Sequence, residues 1–170
     1  MNFGADFDLP KWFAQGSSGD NPHTKEVVDP IVETSIKYLR EEKGFKKIGA
    51  VGYCFGAKYV VRFLGASSVQ GGGIDVGYIA HPTLVEEAEI EAIGGPLSIS
   101  AAEFDQQFTT DKRHKSEEIF KAGKKIYQIN LFQGTEHGFA VRCDLAVKTQ
   151  RFAKEQAFLQ AVAWFDEFLH

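Results

Sequence analysis

The sequence has 170 residues, of which 44% are hydrophobic and 25% charged, a balance typical of one soluble globular domain spanning residues 1–170. A formal net charge of −4 argues against a nucleic-acid-binding protein and against a polybasic protein that binds membrane surfaces. The two cysteines, Cys54 and Cys143, lie in no cluster with zinc-ligand spacing, so neither a disulfide scaffold nor a metal site is expected. No apolar run approaches the roughly 20 residues of a membrane-spanning helix. The first residues lack the basic and apolar blocks of a signal peptide, so we expect a cytoplasmic protein.

The predicted elements alternate between strands and helices after an irregular opening segment that extends to about residue 21. Apolar residues at helical spacing predict the first helix over 27–43. Strands are predicted over 46–53, 74–82, 95–105 and 125–134, and further helices over 56–67, 110–122 and 145–169. The last helix is expected to be amphipathic, with apolar positions at Phe152, Ala157, Leu159, Val162, Trp164, Phe165 and Phe168.

This alternation predicts an α/β fold with a mostly parallel sheet and helices on both of its faces. Ligands of such sheets bind at the carboxyl ends of the strands. Four residues that can carry chemistry follow the predicted strands at those ends: Cys54, His81, Asp105 and His137. A site at this edge of the sheet is therefore expected.

The segment Gly-Tyr-Cys-Phe-Gly, residues 52–56, has the pattern of a nucleophile on a tight strand-to-helix turn. Its glycines are expected because a Cβ at Gly52 or Gly56 would collide with a neighbouring element. A nucleophile, then an acid, then a histidine is the chain order of the α/β-hydrolase triad, which Cys54, Asp105 and His137 would supply.

The chemistry of these residue types is acyl transfer to water. A thiol at the first turn of a helix has a lowered pKa, and His137 can take its proton to give a thiolate that attacks a carbonyl carbon. Asp105 would fix the tautomer of His137 and stabilise its charged form. The backbone N–H of Phe55 would contribute to the oxyanion hole. The substrate class predicted is an ester, lactone or thioester.

The segments "GAVGYCFGAKY", "PLSISAAEFDQQF" and "INLFQGTEHGFAVR" resemble the nucleophile, acid and histidine segments of the dienelactone hydrolase family, particularly its fungal members. The resemblance implies a Cys54–Asp105–His137 triad that hydrolyses small esters or lactones without a cofactor. It also implies an N-terminally truncated domain, because members of the family usually have further N-terminal strands and a second oxyanion donor.

Several alternatives remain open from the sequence. Cys54 could be an inert core cysteine, and His137 a loop histidine satisfied by the backbone. Glu103 and Asp111 are rivals of Asp105. His81 could line the pocket or serve as a turn residue.

The substrate-binding residues are expected to be Tyr53 and Arg142. Arg142 could bind a substrate carboxylate or form a surface salt bridge, and core packing is the alternative for Tyr53. A second functional hypothesis is a truncated or degenerate hydrolase fold that has little catalysis and acts as a binding or interaction module. In that case an exposed sheet edge would favour a homodimer.

Overall fold

A computed structural model of the protein describes residues 8–66 and 72–170. Its elements in chain order are α1 (Leu9–Gln15), α2 (Lys25–Lys37) with a wider helical turn (Tyr38–Glu42), β1 (Gly49–Tyr53), α3 (Phe55–Phe63), β2 (Val76–Ala80), α4 (Glu87–Ala92), β3 (Leu97–Phe104), α5 (Thr110–Ala122), β4 (Tyr127–Glu136) and α6 (Lys148–Phe168). The four strands form one parallel sheet in the order β1-β2-β3-β4. This confirms the parallel α/β prediction. The predictions for residues 1–7 and Ser67 lie outside the described residues.

The inner strand β2 is buried on both faces, which explains its continuous apolar run. Ile79 belongs to the core under α2, α3, α4 and α5, whereas Tyr78 and Ala80 pack against α6. The hydroxyl of Tyr78 donates to the carbonyl of Ala157 in α6 at 2.8 Å. Helices therefore cover both faces of the sheet, as the alternation predicted.

A polar cluster fastens α6 to β3 inside the core. The side-chain amide of Gln160 donates to the hydroxyl of Ser98 at 2.7 Å and accepts from the hydroxyl of Ser100 at 2.7 Å. The hydroxyl of Tyr78 contacts Ser100 at 2.8 Å. All four side chains are buried, so these hydrogen bonds satisfy groups that water cannot reach.

The opening segment was expected to be irregular to about residue 21. That prediction is wrong, because α1 lies within the segment. Asp8 caps α1 by accepting a hydrogen bond from the backbone N–H of Lys11 at 2.9 Å, and Pro10 stands in its first turn. Helix α4 was also not predicted. Glu86 precedes it as the N-cap, and its backbone N–H donates to the side chain of Glu89 at 2.9 Å.

The face of α6 that meets the sheet agrees only in part with the one expected. Its buried residues are Ala153, Ala157, Gln160, Ala161 and Trp164, whereas Phe152, Phe158, Leu159 and Val162 are exposed. Alanines let the helix approach β2 closely enough for the hydrogen bond from Tyr78. The expected pattern is therefore confirmed only in part, because Ala157 and Trp164 are buried and Phe165 packs against the sheet, whereas the other large apolar residues lie on the outer side.

Candidate active site

The corner predicted to carry the nucleophile, residues 52–56, joins β1 directly to α3. Cys54 has φ 51° and ψ −115°, a backbone conformation that costs a non-glycine residue about 1–3 kcal/mol. Its backbone N–H donates to the carbonyl of Ala80, and its carbonyl accepts from the N–H groups of Ala57 and Thr83. These hydrogen bonds from both sides hold the thiol in its strained position.

The two glycines of the corner have different roles. A Cβ on Gly52 would lie 2.7 Å from the backbone oxygen of Gly56 and 2.8 Å from the backbone nitrogen of Ala57, which confirms the expected collision. The same expectation is wrong for Gly56, because outside its chain neighbours and the backbone of its own helix no atom of the described residues lies within 4 Å of the position that a Cβ would take there. Only Gly52 is therefore required by close packing.

Three side chains from three different loops form one hydrogen-bonded chain at the carboxyl edge of the sheet. Nε2 of His137 lies 3.1 Å from Sγ of Cys54, and Nδ1 of His137 lies 2.9 Å from a carboxylate oxygen of Asp105. Asp105 also accepts hydrogen bonds from the backbone N–H groups of Gln107 and Phe108. These two backbone hydrogen bonds hold the carboxylate in place independently of the imidazole.

The neighbouring carboxylates do not contact His137 in this way. Glu103 is exposed and accepts a hydrogen bond from the backbone N–H of Gly134 at 2.8 Å. Asp111 lies in the first turn of α5. Of the three acids considered from the sequence, Asp105 is the one that hydrogen-bonds the imidazole.

Burial and hydrogen bonding act against each other on these groups. Burial raises the pKa of the Cys54 thiol, but hydrogen bonds from His137 and Thr83 and the charge of His137 outweigh it and lower the pKa. Burial lowers the pKa of His137, but Asp105 and Cys54 raise it to about 9. Burial raises the pKa of Asp105, and hydrogen bonds from His137 and Phe108 lower it below its usual value. The arrangement favours a thiolate beside an imidazolium.

Sequence reasoning missed Thr83, a buried residue that contacts both Cys54 and His137. Its hydroxyl lies 3.4 Å from Sγ of Cys54 and 3.3 Å from Nε2 of His137. Thr83 comes just after the end of β2, at the same edge of the sheet that supplied the other candidates. This place directly after a predicted strand was the sequence feature that could have identified Thr83.

His81 is fully buried beside the same imidazole. Its ring meets that of His137 edge-on with centroids 5.1 Å apart, and it also packs against Tyr53 and Phe139. Within the described chain neither of its ring nitrogens has a hydrogen-bond partner. Burial is the main reason why its pKa falls to about 4, so the ring is neutral at physiological pH.

The remaining candidates lie around this centre without joining the hydrogen-bonded chain. Tyr53 lines an open, mostly apolar groove of about 510 Å³ between the end of β1 and α6. Arg142 lies against Gly138 and lines a different depression, together with His137 and Phe139. Phe55 is half-buried, and its ring packs among aromatic side chains of the N-terminal segment and α3 (Trp12, Phe13, His23 and Tyr59).

Metal-binding clusters and membrane-spanning helices are both absent from residues 8–66 and 72–170. Histidine, cysteine and carboxylate side chains form no group of three or more there that could hold a metal ion. Among the helices described, none combines the length and apolarity needed to cross a membrane.

The fold and the strand-end site together define an α/β-hydrolase domain. Comparison with solved structures agrees: the chain superposes on the acylaminoacyl peptidase of Pyrococcus horikoshii with a TM-score of 0.66. That match covers 85% of this chain and 28% of the peptidase at 16% sequence identity, so the likeness concerns the fold.

The family is given by the sequence comparisons. Residues 14–169 match the model of the dienelactone hydrolase family, and the chain belongs to that family. It is 51% identical to hydrolase pyvD of Aspergillus violaceofuscus over 86% of this chain and 58% of that protein. It is 48% identical to hydrolase tropI of Talaromyces stipitatus over 99% of this chain and 65% of that protein. The chain thus spans less than two thirds of the length of these relatives.

Proposed function

We propose that this protein hydrolyses a small ester or lactone through a covalent intermediate on Cys54. The observation that carries the proposal is the continuous hydrogen-bonded chain from Asp105 through His137 to Cys54, with contacts of 2.9 and 3.1 Å. Membership of a hydrolase family supports it. A cytoplasmic location would suit this chemistry, because the thiolate must stay reduced.

In the first half-reaction, Sγ of Cys54 attacks the carbonyl carbon and a C–S bond forms. The oxygen of the tetrahedral intermediate takes the negative charge, and the backbone N–H of Phe55 is our candidate donor to it. The C–O bond to the leaving alcohol then breaks, and the alcohol oxygen receives the proton held on Nε2 of His137. For a lactone the alcohol remains attached to the acyl group.

In the second half-reaction, neutral His137 takes a proton from water, and the hydroxide oxygen attacks the thioester carbon. The C–S bond breaks, the carboxylic acid leaves and the thiolate is restored beside the imidazolium. Asp105 holds the Nδ1–H tautomer throughout, so that Nε2 always faces the reacting atoms. No cofactor is needed for this sequence of steps.

The substrate would extend over the surfaces around Cys54. We assign Tyr53 to the apolar part of the acyl group, because it lines the groove beside the nucleophile corner. We assign Arg142 to an anionic substituent, because it shares a depression with His137. Arg142→Gln should then raise the KM of an anionic ester more than that of its neutral analogue. Equal changes in the two KM values would contradict the assignment.

The test of the proposed function is hydrolysis of p-nitrophenyl butyrate by the pure chain. Cys54→Ala should abolish turnover, and Cys143→Ala is the matched control because it removes the other thiol of the protein. Mass spectrometry of rapidly quenched enzyme should find the butyryl group on Cys54. Equal rates of p-nitrophenyl butyrate hydrolysis in wild type and Cys54→Ala would refute the proposed hydrolase activity.

A second candidate function is an interaction module that has little catalysis and pairs with a second copy of the chain. It is favoured by β1, whose described partner is β2 alone and whose Val51 and Tyr53 are exposed. The expected result would be a dimer in analytical ultracentrifugation that Val51→Lys dissociates, together with Cys54-independent background hydrolysis. A monomer with Cys54-dependent turnover would exclude this candidate.

A further inference from the structure

The hydroxyl of Thr83 completes a triangle with the two atoms that exchange the catalytic proton. Sγ of Cys54 and Nε2 of His137 are 3.1 Å apart, and Oγ1 of Thr83 lies 3.4 Å from the first and 3.3 Å from the second. The residue is only 3% exposed, so water does not compete freely for its hydroxyl. The hydrolytic steps proposed above assign no role to the hydroxyl of Thr83.

The backbone around Thr83 is fixed from both sides. Its N–H donates to the carbonyl of Cys54 at 3.1 Å, which ties it to the nucleophile corner. The carbonyl of the next residue, Leu84, accepts a hydrogen bond from the buried amino group of Lys58 at 2.8 Å. Lys58 is itself held by Glu89 at 2.7 Å. The hydroxyl is therefore preorganised, and placing it against the thiol costs little additional entropy.

The count of protons decides the direction of the hydrogen bond. In the ion pair, Nε2 of His137 carries a hydrogen that points at Sγ, so Nε2 has no lone pair left for Thr83. The thiolate is the acceptor that remains, and the hydroxyl has one hydrogen to donate. Donation to a charged acceptor is stronger than donation to a neutral thiol.

We propose that Thr83 is a positioning residue whose hydroxyl donates a hydrogen bond to the Cys54 thiolate and holds Sγ against Nε2 of His137. The proposal rests on the proposed function, since it concerns the same nucleophile. It also predicts a property of the thiol that can be measured without any substrate.

The experiment is the rate of Cys54 alkylation by iodoacetamide as a function of pH, in a Cys143→Ser background that leaves one thiol. Thr83→Val keeps the shape of the side chain and removes the hydroxyl, whereas Thr83→Ser keeps the hydroxyl. The alkylation rate rises with pH as the thiol ionises, and this rising part of the profile is its acid limb. We expect the acid limb to shift to higher pH by about one unit in Thr83→Val and to stay in place in Thr83→Ser.

The other charged and titratable groups near the pair are unchanged in all variants. They are Asp105, hydrogen-bonded to His137; His81, packed edge-on against His137; Glu136 and Arg142, which line one depression with His137; and Tyr53, packed against His81. A shift confined to Thr83→Val is therefore attributable to the hydroxyl. A loss of packing alone would lower the alkylation rate without moving the limb.

The outcomes separate this proposal from the proposed function. An acid limb that lies well below the pKa of a free thiol in wild type and does not shift in Thr83→Val would overturn the role of Thr83. The proposed hydrolase activity would not be affected by that result. An acid limb near the pKa of a free thiol in wild type would overturn the activated nucleophile itself. Should Thr83→Val fail to fold, the same comparison of Thr83→Ala with Thr83→Ser decides the matter.

Discussion

Replacing Asp105 with asparagine tests the electrostatics of the site. The carboxylate lies 2.9 Å from Nδ1 of His137 and accepts backbone hydrogen bonds from Gln107 and Phe108. The amide oxygen of asparagine can still accept those two hydrogen bonds, but the negative charge that stabilises the imidazolium is lost. We expect the pKa of His137 to fall from about 9 toward its ordinary value of 6.5.

The rise of the His137 pKa from 6.5 to about 9 corresponds to about 3 kcal/mol, which Asp105 and Cys54 share. Because the pKa is higher in the folded protein than in the unfolded chain, this stabilisation is complete below pH 6.5 and is lost as the pH rises through 9. The wild type should thus lose on the order of 3 kcal/mol over that window from this group. Asp105→Asn should lose much less.

NMR titration of His137 and urea unfolding at a series of pH values measure these effects. Turnover of the p-nitrophenyl ester should fall on the order of 10³-fold to 10⁴-fold, as when a triad acid becomes an amide. Glu103→Gln is the matched control, because that carboxylate hydrogen-bonds Gly134 and should leave the His137 pKa unchanged. A His137 pKa that stays near 9 in Asp105→Asn would refute the reasoning.

Three further outcomes are expected, each measurable by urea unfolding. Gly52→Ala should destabilise the fold by about 1–3 kcal/mol because its Cβ meets a backbone oxygen at 2.7 Å, whereas Gly56→Ala should not; equal losses would contradict the steric argument. The pKa of His81 is about 4 in the folded protein and 6.5 in the unfolded chain, so the free energy of unfolding should fall as the pH drops from 6.5 to 4. If the free energy of unfolding depends on pH with the same slope in His81→Leu, this prediction is contradicted. Gln160→Leu should cost about 1–3 kcal/mol, since Ser98 loses its partner; full stability would show that the buried network contributes little.

The sheet and the site were predictable from the sequence for a common reason. Buried parallel strands read as short apolar runs, and their ends point to one edge, so a polar residue after each run has a defined place. That logic located Cys54, Asp105 and His137, which the structure joins by hydrogen bonds. The assignment of catalysis to them remains a prediction for the assays above.

The features that were missed depend on contacts that periodicity does not encode. The buried stripe of α6 is made mainly of alanines, and Phe152 and Leu159 are exposed, so counting large apolar residues identified the buried face only in part. Helix α1 has only seven residues after its Asp8 cap, too few for a helical period to be recognised. Thr83 is neither a nucleophile nor a base, and only the folded loop shows that its hydroxyl meets Sγ and Nε2.

The separation of Cys54 and His137 along the chain has a kinetic consequence. Cys54 and His137 are 83 residues apart and follow the two opposite edge strands of the sheet. Their 3.1 Å contact can exist only after all four strands have aligned, and such distant pairings form slowly. Thiol reactivity at neutral pH should therefore appear late during refolding, after most helical circular dichroism has returned, and its appearance would report completion of the sheet.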